Sequence, residues 1–481
     1  MNYKMMLYTI GNMFKVEAVL LLLPLVTSLI YKENTYASFL IPIGILTALG
    51  FALSWKRPKN RTMYAREGFI VVGLSWILLS LFGALPFMIS KEIPSFINAF
   101  FETVSGFTTT GASILEDVEV LSKGMAFWRS FTHWIGGMGV LVFIMAIIPS
   151  SDGDTIHILR AESPGPQVGK LVSKIKVNAR ILYLIYFALT ILEVVLLVCG
   201  KMPLFDSIVH SFGTAGTGGF GIKNSSIGGY NNYCQIVIGI FMILFGTNFN
   251  VFYFLLIGNV SQALKSEELR WYLSFIFISI TVITLNIMIT NTAAVFGSTL
   301  KDAFFQVASI ITTTGFSTTN FDGWPELSRS ILVLIMFFGA CAGSTGGGLK
   351  VSRIAILFKS SKRELLKLVH PHSVQNVRFE GSVVSEDVVK STFAYLSFFF
   401  IIFISCVLLV SLDGKDFVTN FTAVAACINN IGPGLSLVGP LGNYASFSVF
   451  SKSVLILAML VGRLEIFPIL LLFIPNMWRN K

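Results

Sequence analysis

Apolar residues fill the chain in runs of two lengths, and the order of those runs repeats. Two long runs open it, over 16–31 and 36–55, joined by Lys32-Glu33-Asn34-Thr35. From there one unit recurs four times: a long apolar run, a short turn, a run of half the length, a glycine-bearing loop and a second long run. The first unit has its runs at 68–90, 98–107 and 127–148, the second at 181–199, 206–215 and 235–257. The third has 272–289, 302–311 and 330–358, and the fourth 392–412, 419–428 and 451–477. A helix needs roughly twenty apolar residues to span a bilayer. The long runs approach that length, whereas the short ones cannot cross and must enter and leave on one side. The pattern predicts an all-α polytopic membrane protein of four pseudo-repeats, preceded by two extra transmembrane helices. The units divide the chain at 1–66, 67–150, 151–260, 261–360 and 361–481.

The glycine loops are related. Phe107-Thr108-Thr109-Thr110-Gly111 has a near copy in Ile311-Thr312-Thr313-Thr314-Gly315, and looser copies in Thr217-Gly218-Gly219 and Asn430-Ile431-Gly432. Thirteen positions before the glycines stand Asn98, Asp206, Asp302 and Thr419. All four belong to the residue types that cap helix N-termini. Each half-length run therefore reads as a capped helix that stops just before its glycine. Its carboxyl end, carrying roughly −0.5 of an elementary charge, points towards the bilayer centre. Four such ends aimed at one cavity favour a cation there. Non-helical backbone at membrane depth is tolerated where it lines a cavity or is buried in protein, and rings of carbonyls replace an ion's hydration shell. A loop of Thr-Thr-Thr-Gly type would present backbone carbonyls of that kind to an ion.

Charge supports one topology. Only 12% of the 481 residues are charged, against 54% hydrophobic, and mean hydropathy is +0.76. A soluble domain carries about 25% charged residues. The net charge of +10 lies mainly between the apolar runs, where Lys and Arg mark cytoplasmic loops and touch the membrane surface rather than nucleic acid. With both termini inside, the cytoplasmic linkers are 55–67, 149–180, 258–271, 350–391 and the tail. The glycine loops then lie outside, followed by Glu116, Asp117 and Glu119 in the first unit and by Asp322 and Glu326 in the third. The first apolar run lacks a small-residue cleavage site and is kept as a helix. Five cysteines in apolar surroundings show no metal spacing and read as buried small side chains.

At this point the residues carry a resemblance. The fourfold helix–pore loop–helix pattern around one central pore resembles the Trk, Ktr and HKT potassium transporters. Trp128-Arg129-Ser130, Trp134-Ile135-Gly136-Gly137-Met138-Gly139, the stretch from Gly339 to Lys350 and Gly462-Arg463-Leu464-Glu465-Ile466-Phe467 narrow it to the TrkH/TrkG branch. The resemblance implies potassium as the transported ion, held by the carbonyls of Thr109, Thr110 and Gly111, Thr217, Gly218 and Gly219, Thr313, Thr314 and Gly315, and Asn430, Ile431 and Gly432. It also implies uptake across a bacterial cytoplasmic (inner) membrane, a homodimer, and a cytosolic TrkA-like nucleotide-binding regulatory subunit. In that superfamily a serine at the first filter position goes with sodium conduction, so Gly111 favours potassium. The second loop, Ala215-Gly216-Thr217-Gly218, departs by being richer in glycine.

The resemblance implies gating by two further features, Arg463 below the filter and a glycine-rich stretch. Arg463 lies in a long apolar run, where an ionised residue is costly and usually faces a cavity or the bundle interior. Pairing with Glu465 is disfavoured, because residues two apart share no helical face. Five glycines between Gly339 and Gly348 break what should be one helix, since each costs roughly 1 kcal/mol. The resemblance implies that Gly343, Ser344, Thr345, Gly346, Gly347 and Gly348 form an intramembrane gating loop beneath the filter; the alternative is a close-packing surface. The stretch lacks a phosphate-loop pattern, and no nucleotide site is expected on this chain. A membrane enzyme is disfavoured by the want of GxSG, HExxH or paired carboxylates within the helices. A sodium or ammonium conductor and a coupled symporter stay open. Arg129 and Glu193 call for interior partners that the sequence does not name.

Overall fold

The computed structural model describes residues 1–60, 63–139, 175–373, 375–475 and 478. The amino-terminal pair is α1 (Tyr3–Leu20) with α2 (Leu22–Ile30), which together make one span, and α3 (Tyr36–Ser54). The first unit comprises α4 (Ala65–Gly83), α5 (Leu85–Ile89), α6 (Phe96–Phe107) and α7 (Lys123–Gly137). The second comprises α8 (Ile175–Cys199), α9 (Leu204–Ala215), α10 (Asn232–Phe245), α11 (Phe249–Leu256) and α12 (Val260–Lys265). The third has α13 (Glu267–Thr290), α14 (Phe296–Ile311), α15 (Glu326–Phe338) and α16 (Val351–Val369). The fourth has α17 (Glu386–Val410), α18 (Phe417–Ile428), α19 (Val449–Arg463) and α20 (Phe467–Leu472). Six helices are long and apolar enough to cross a membrane, or seven if the bent pair α10–α11 is one span, among the described residues. Large apolar side chains such as Leu184, Phe277, Ile278, Leu285, Ile401 and Leu408 stand exposed on α8, α13 and α17, a surface suited to acyl chains and not to water.

The half-length helices α6, α9, α14 and α18 end where the pattern predicts, at Phe107, Ala215, Ile311 and Ile428. Their starts differ. The N-cap positions are Ser95, Pro203, Val295 and Asp416, so Asn98, Asp206, Asp302 and Thr419 lie inside the helices and are not caps. The cause is plain at α18, where Asp416 accepts from the Thr419 amide at 2.9 Å and from its hydroxyl at 2.5 Å. The Asn98 oxygen accepts from Lys452 Nζ at 2.9 Å instead, and Asp206 accepts from Tyr230 at 2.9 Å.

The second long helix of each unit differs from expectation too. None of the four described runs on unbroken. The first ends at Gly137 with Gly139 in the left-handed region, the rest of the expected 127–148 run lying outside the described residues. The second bends by 93° between Phe245 and Phe249, and the fourth breaks at Leu464–Ile466, where Glu465 and Ile466 both have positive φ. Only the third break, between α15 and α16, was readable as a glycine run. α16 turns much of the expected 350–391 linker into an amphipathic helix with Val351, Ala355 and Ile356 buried. A two-residue hairpin, Arg378–Phe379 with Ser382–Val383, turns at Glu380 and Gly381, both at positive φ as a type I′ turn requires. Of the five cysteines only Cys199 is exposed, against the expectation for it.

Candidate ion pathway

The four half-length helices close in the same way. The amide two positions past each C-cap donates to the carbonyl five residues back: Thr110 to Ser105, Gly218 to Gly213, Thr314 to Ser309 and Ile431 to Ala426, at 2.8–2.9 Å. The amides of Thr109, Thr217, Thr313 and Asn430 donate to the carbonyls of Gly106, Thr214, Ile310 and Cys427. This is the Schellman arrangement, which places its C′ residue in the left-handed region. Glycine usually occupies that place. Here it is taken by Thr109, Thr217, Thr313 and Asn430, with φ of 52–60°, a strained choice for threonine that recurs at functional sites.

The four loops then lock into a ring. A β-carbon on Gly111 would sit 2.1 Å from the Gly218 oxygen, and one on Gly219 would sit 2.0 Å from the Thr314 oxygen. On Gly315 it would sit 1.9 Å from the Ile431 oxygen, and on Gly432 2.7 Å from the Thr110 oxygen. Each glycine thus abuts the carbonyl just before the next loop's glycine, and the fourth closes on the first. All four glycines line one cavity of about 130 Å³, shared with Glu116, Lys223, Asn224 and Tyr444. Among the described residues no donor reaches the carbonyls of Thr109, Thr110, Thr217, Gly218, Thr313, Thr314, Asn430 or Ile431, all of them buried residues. Buried backbone carbonyls are nearly always paired. Eight without a protein donor, in fourfold register, form a set of acceptors suited to a desolvated cation.

The ring is braced from behind. Arg129 and Glu102 form a buried ion pair at 2.6 Å, which supplies the partner missing for Arg129 in the sequence. Glu102 also accepts from the Ser113 hydroxyl and the Ile114 amide at 2.9 Å, while Arg129 donates to the Gly221 carbonyl at 2.9 Å. The pair therefore ties the first loop to the second. Glu193 is fully buried with no ion-pair partner among the described residues, so the expected pairing is not met there. At the mouth of this cavity Asp117 accepts from Asn224 at 2.7 Å, and this hydrogen bond holds its carboxyl below the usual range. Asp322 pairs with Arg329 at 3.4 Å, so the mouth carries both signs.

On the opposite side lies the stretch from Gly339 to Lys350. The break between α10 and α11 leaves helix-end carbonyls without helical partners, and this stretch fills them. The Cys341 amide donates to the Gly246 carbonyl at 3.0 Å, and Thr345 donates to the Phe245 carbonyl from both its amide and its hydroxyl. Gly347 donates to Thr313 Oγ1 at 2.6 Å, directly beneath the third loop. A β-carbon on Gly347 would lie 2.5 Å from the Asn429 oxygen, which places the stretch against the fourth loop as well. Gly346, Thr345 and Ser344 are buried and Gly343 is exposed; Gly343 and Gly348 have positive φ.

Arg463 is the last residue of α19 and half-buried. It donates to the Thr345 carbonyl at 2.9 Å, to the Gly137 carbonyl at 2.8 Å and to the Gly136 carbonyl. It thus joins the glycine-rich stretch to the end of α7. Glu465 pairs with Arg353 through two contacts of 2.5 and 3.0 Å. Several anchors escaped the sequence reading. Lys350, counted there as a linker charge, is buried with Nζ on the Gly346 carbonyl. Glu268 accepts from the amides of Ala342 at 2.7 Å and Ser352 at 3.2 Å, one at each foot of the stretch. The Glu380 carboxylate accepts in turn from the Glu268 amide and the Ser266 hydroxyl, at 2.8 and 2.9 Å. A carboxylate at the start of an apolar helix was the available signal, but its two partners lie 74 and 84 residues away.

Fold and site together define a multi-pass membrane transporter with four re-entrant loops about one cavity. The family model of TrkH, described as a cation transport protein, matches residues 36–480, and the chain belongs to that family. It is similar to the Trk system potassium uptake protein TrkH of Salmonella typhimurium, at 36% identity over the whole of both chains. The Trk system potassium uptake protein TrkG of Escherichia coli is 34% identical over 95% of each. The crystal structure of the potassium transporter TrkH from Vibrio parahaemolyticus superposes with a TM-score of 0.90 at 32% identity, covering both chains completely. These relatives are named as transporters, and the chain is not an enzyme.

Proposed function

We propose that the chain takes potassium up across the cytoplasmic membrane through a filter made by its four glycine loops. The single observation behind this is the closed ring of buried carbonyls, eight of which no donor among the described residues reaches. The carbonyls of Thr109–Gly111, Thr217–Gly219, Thr313–Gly315 and Asn430–Gly432 act as the ion's ligands, the Gly432 oxygen also accepting from the Tyr444 hydroxyl at 2.7 Å, and the four helix ends add a favourable field. The stretch Gly343–Gly348 and Arg463 form the gate, because a fixed cation beneath the filter raises the barrier to potassium until it moves. Both termini face the cytoplasm, so the ring opens outward.

The relatives are named for potassium uptake and for a Trk system, which supports potassium as cargo and work with other subunits. A homodimer and a cytosolic TrkA-like nucleotide-binding regulator complete the reading; any nucleotide acts through that partner. The test is flux through purified protein in liposomes, with potassium and sodium in competition, alone and with the regulator. Potassium-selective flux that sodium competes with weakly is the expected result. Flux indifferent to the two ions, or flux absent under every condition, overturns the reading.

A further inference from the structure

We propose that His133 is a specificity-determining positioning residue, whose imidazole sets the spacing between the first and second loops. The inference rests on reading those loops as a filter. His133 lies on α7 and is wholly buried. Its Nδ1 stands 2.7 Å from the Gly106 carbonyl, the same oxygen that takes the Thr109 amide in the first loop's closing turn. A carbonyl only accepts, so Nδ1 carries the proton and the neutral ring keeps its lone pair at Nε2. The ring's other side belongs to the second loop. A β-carbon on Gly218 would come within 2.3 Å of the imidazole, and one on Gly216 within 2.2 Å of the His133 carbonyl. The ring also lies 4.1 Å from that of Phe220, one residue past Gly219.

This contact explains the extra glycines of the second loop, since Gly216 and Gly218 make room for α7 where the first and third loops have threonine. The imidazole is wedged between a helix-end carbonyl of one loop and the Cα of a ligand residue in the next. It therefore fixes how far Thr110 and Gly218 stand apart across one quarter of the ring.

The fourth unit lacks such a wedge. Gly462 packs against the Ile428 carbonyl as Gly136 packs against Phe107, with a β-carbon 1.9 Å from the oxygen in both cases. Three residues before Gly462 stands Met459, which offers only its carbonyl, to Asn430 Nδ2 at 3.1 Å. The hydrogen-bonding ring at the first junction thus has no counterpart at the fourth unit's matching position.

The test uses full-length protein in liposomes and reads potassium and sodium fluxes separately. His133→Leu removes the donor, and the preference for potassium falls about tenfold, one hydrogen bond's worth of discrimination. His133→Asn places an amide where Nδ1 stood and restores most of the preference. A purely structural loss lowers both fluxes alike and leaves their ratio unmoved. Should His133→Leu fail to assemble, Gly218→Ala displaces the ring from the loop side, and the same fall in ratio is expected. A ratio unchanged in a folded variant of either kind, with selective wild type, overturns this proposal alone. A wild type that does not discriminate overturns the filter reading first.

Discussion

Gly111 and Gly315 have no room for a side chain, because the neighbouring carbonyl occupies the place of a β-carbon and φ is +80° and +84°. Gly315→Ser or Gly111→Ser therefore has to push the next loop outward. The expected outcome is a loss of potassium preference of about tenfold or more, roughly 1.4 kcal/mol per tenfold, read as the ratio of fluxes in liposomes. The Arg129–Glu102 pair is a second target. Breaking a buried pair leaves an uncompensated charge, at a cost of about 3–5 kcal/mol. Arg129→Leu is expected to lower the thermal midpoint in detergent sharply, and Arg129→Leu with Glu102→Leu to recover part of it; a single variant as stable as wild type would contradict the pairing. The glycines were legible as a repeated motif. The left-handed threonines two residues before them were not, because nothing local marks Thr109 or Thr313 for positive φ; the helix-closing turn imposes it.

Helix ends and breaks decide how the Gly339–Lys350 stretch is held. The four half-length helices stop at their predicted residues because the same turn follows each. Their starts were misread because a capping residue type inside a helix looks the same in sequence as one before it. The breaks in α10–α11 and after α19 were hidden by apolar composition: Gly246-Thr247-Asn248 and Leu464-Glu465-Ile466 carry no glycine run. Their carbonyls and charges become sense-making only once the Gly339–Lys350 stretch lies across them. Glu268 holds both feet of that stretch, so Glu268→Ala is expected to free it and raise resting potassium flux several-fold without altering the potassium-to-sodium ratio. Arg463→Ala is expected to do likewise by removing the cation beneath the filter. Resting flux equal to that of the parent in both variants, measured without any regulator, would argue against the stretch as a gate.

The arrangement of the whole molecule follows from four units meeting on one axis, and that was readable from the spacing of the glycines. What was not readable is how each unit differs behind its loop. His133 backs one junction, the Arg129–Glu102 pair ties the same two loops, and the glycine-rich stretch lies beneath the third and fourth. Orientation is directly testable. In a Cys199→Ser background, Ser225→Cys, exposed between the cavity-lining Asn224 and Ser226, is expected to react with a membrane-impermeant maleimide in intact cells. His372→Cys, in the segment after α16, is expected to react only after the membrane is opened. The reverse pattern would invert the proposed direction.

The ring also bears on how such a chain can change over generations. Each glycine touches the carbonyl of one neighbour and not of the loop opposite. A substitution at 111 is therefore felt first at 218, one at 219 at 314, one at 315 at 431, and one at 432 at 110. Across relatives, compensating changes should fall in those four adjacent pairs and be sparse between diagonal ones. Because all four loops are encoded in one gene, each pair can drift by itself, a liberty denied to a pore built from four identical subunits.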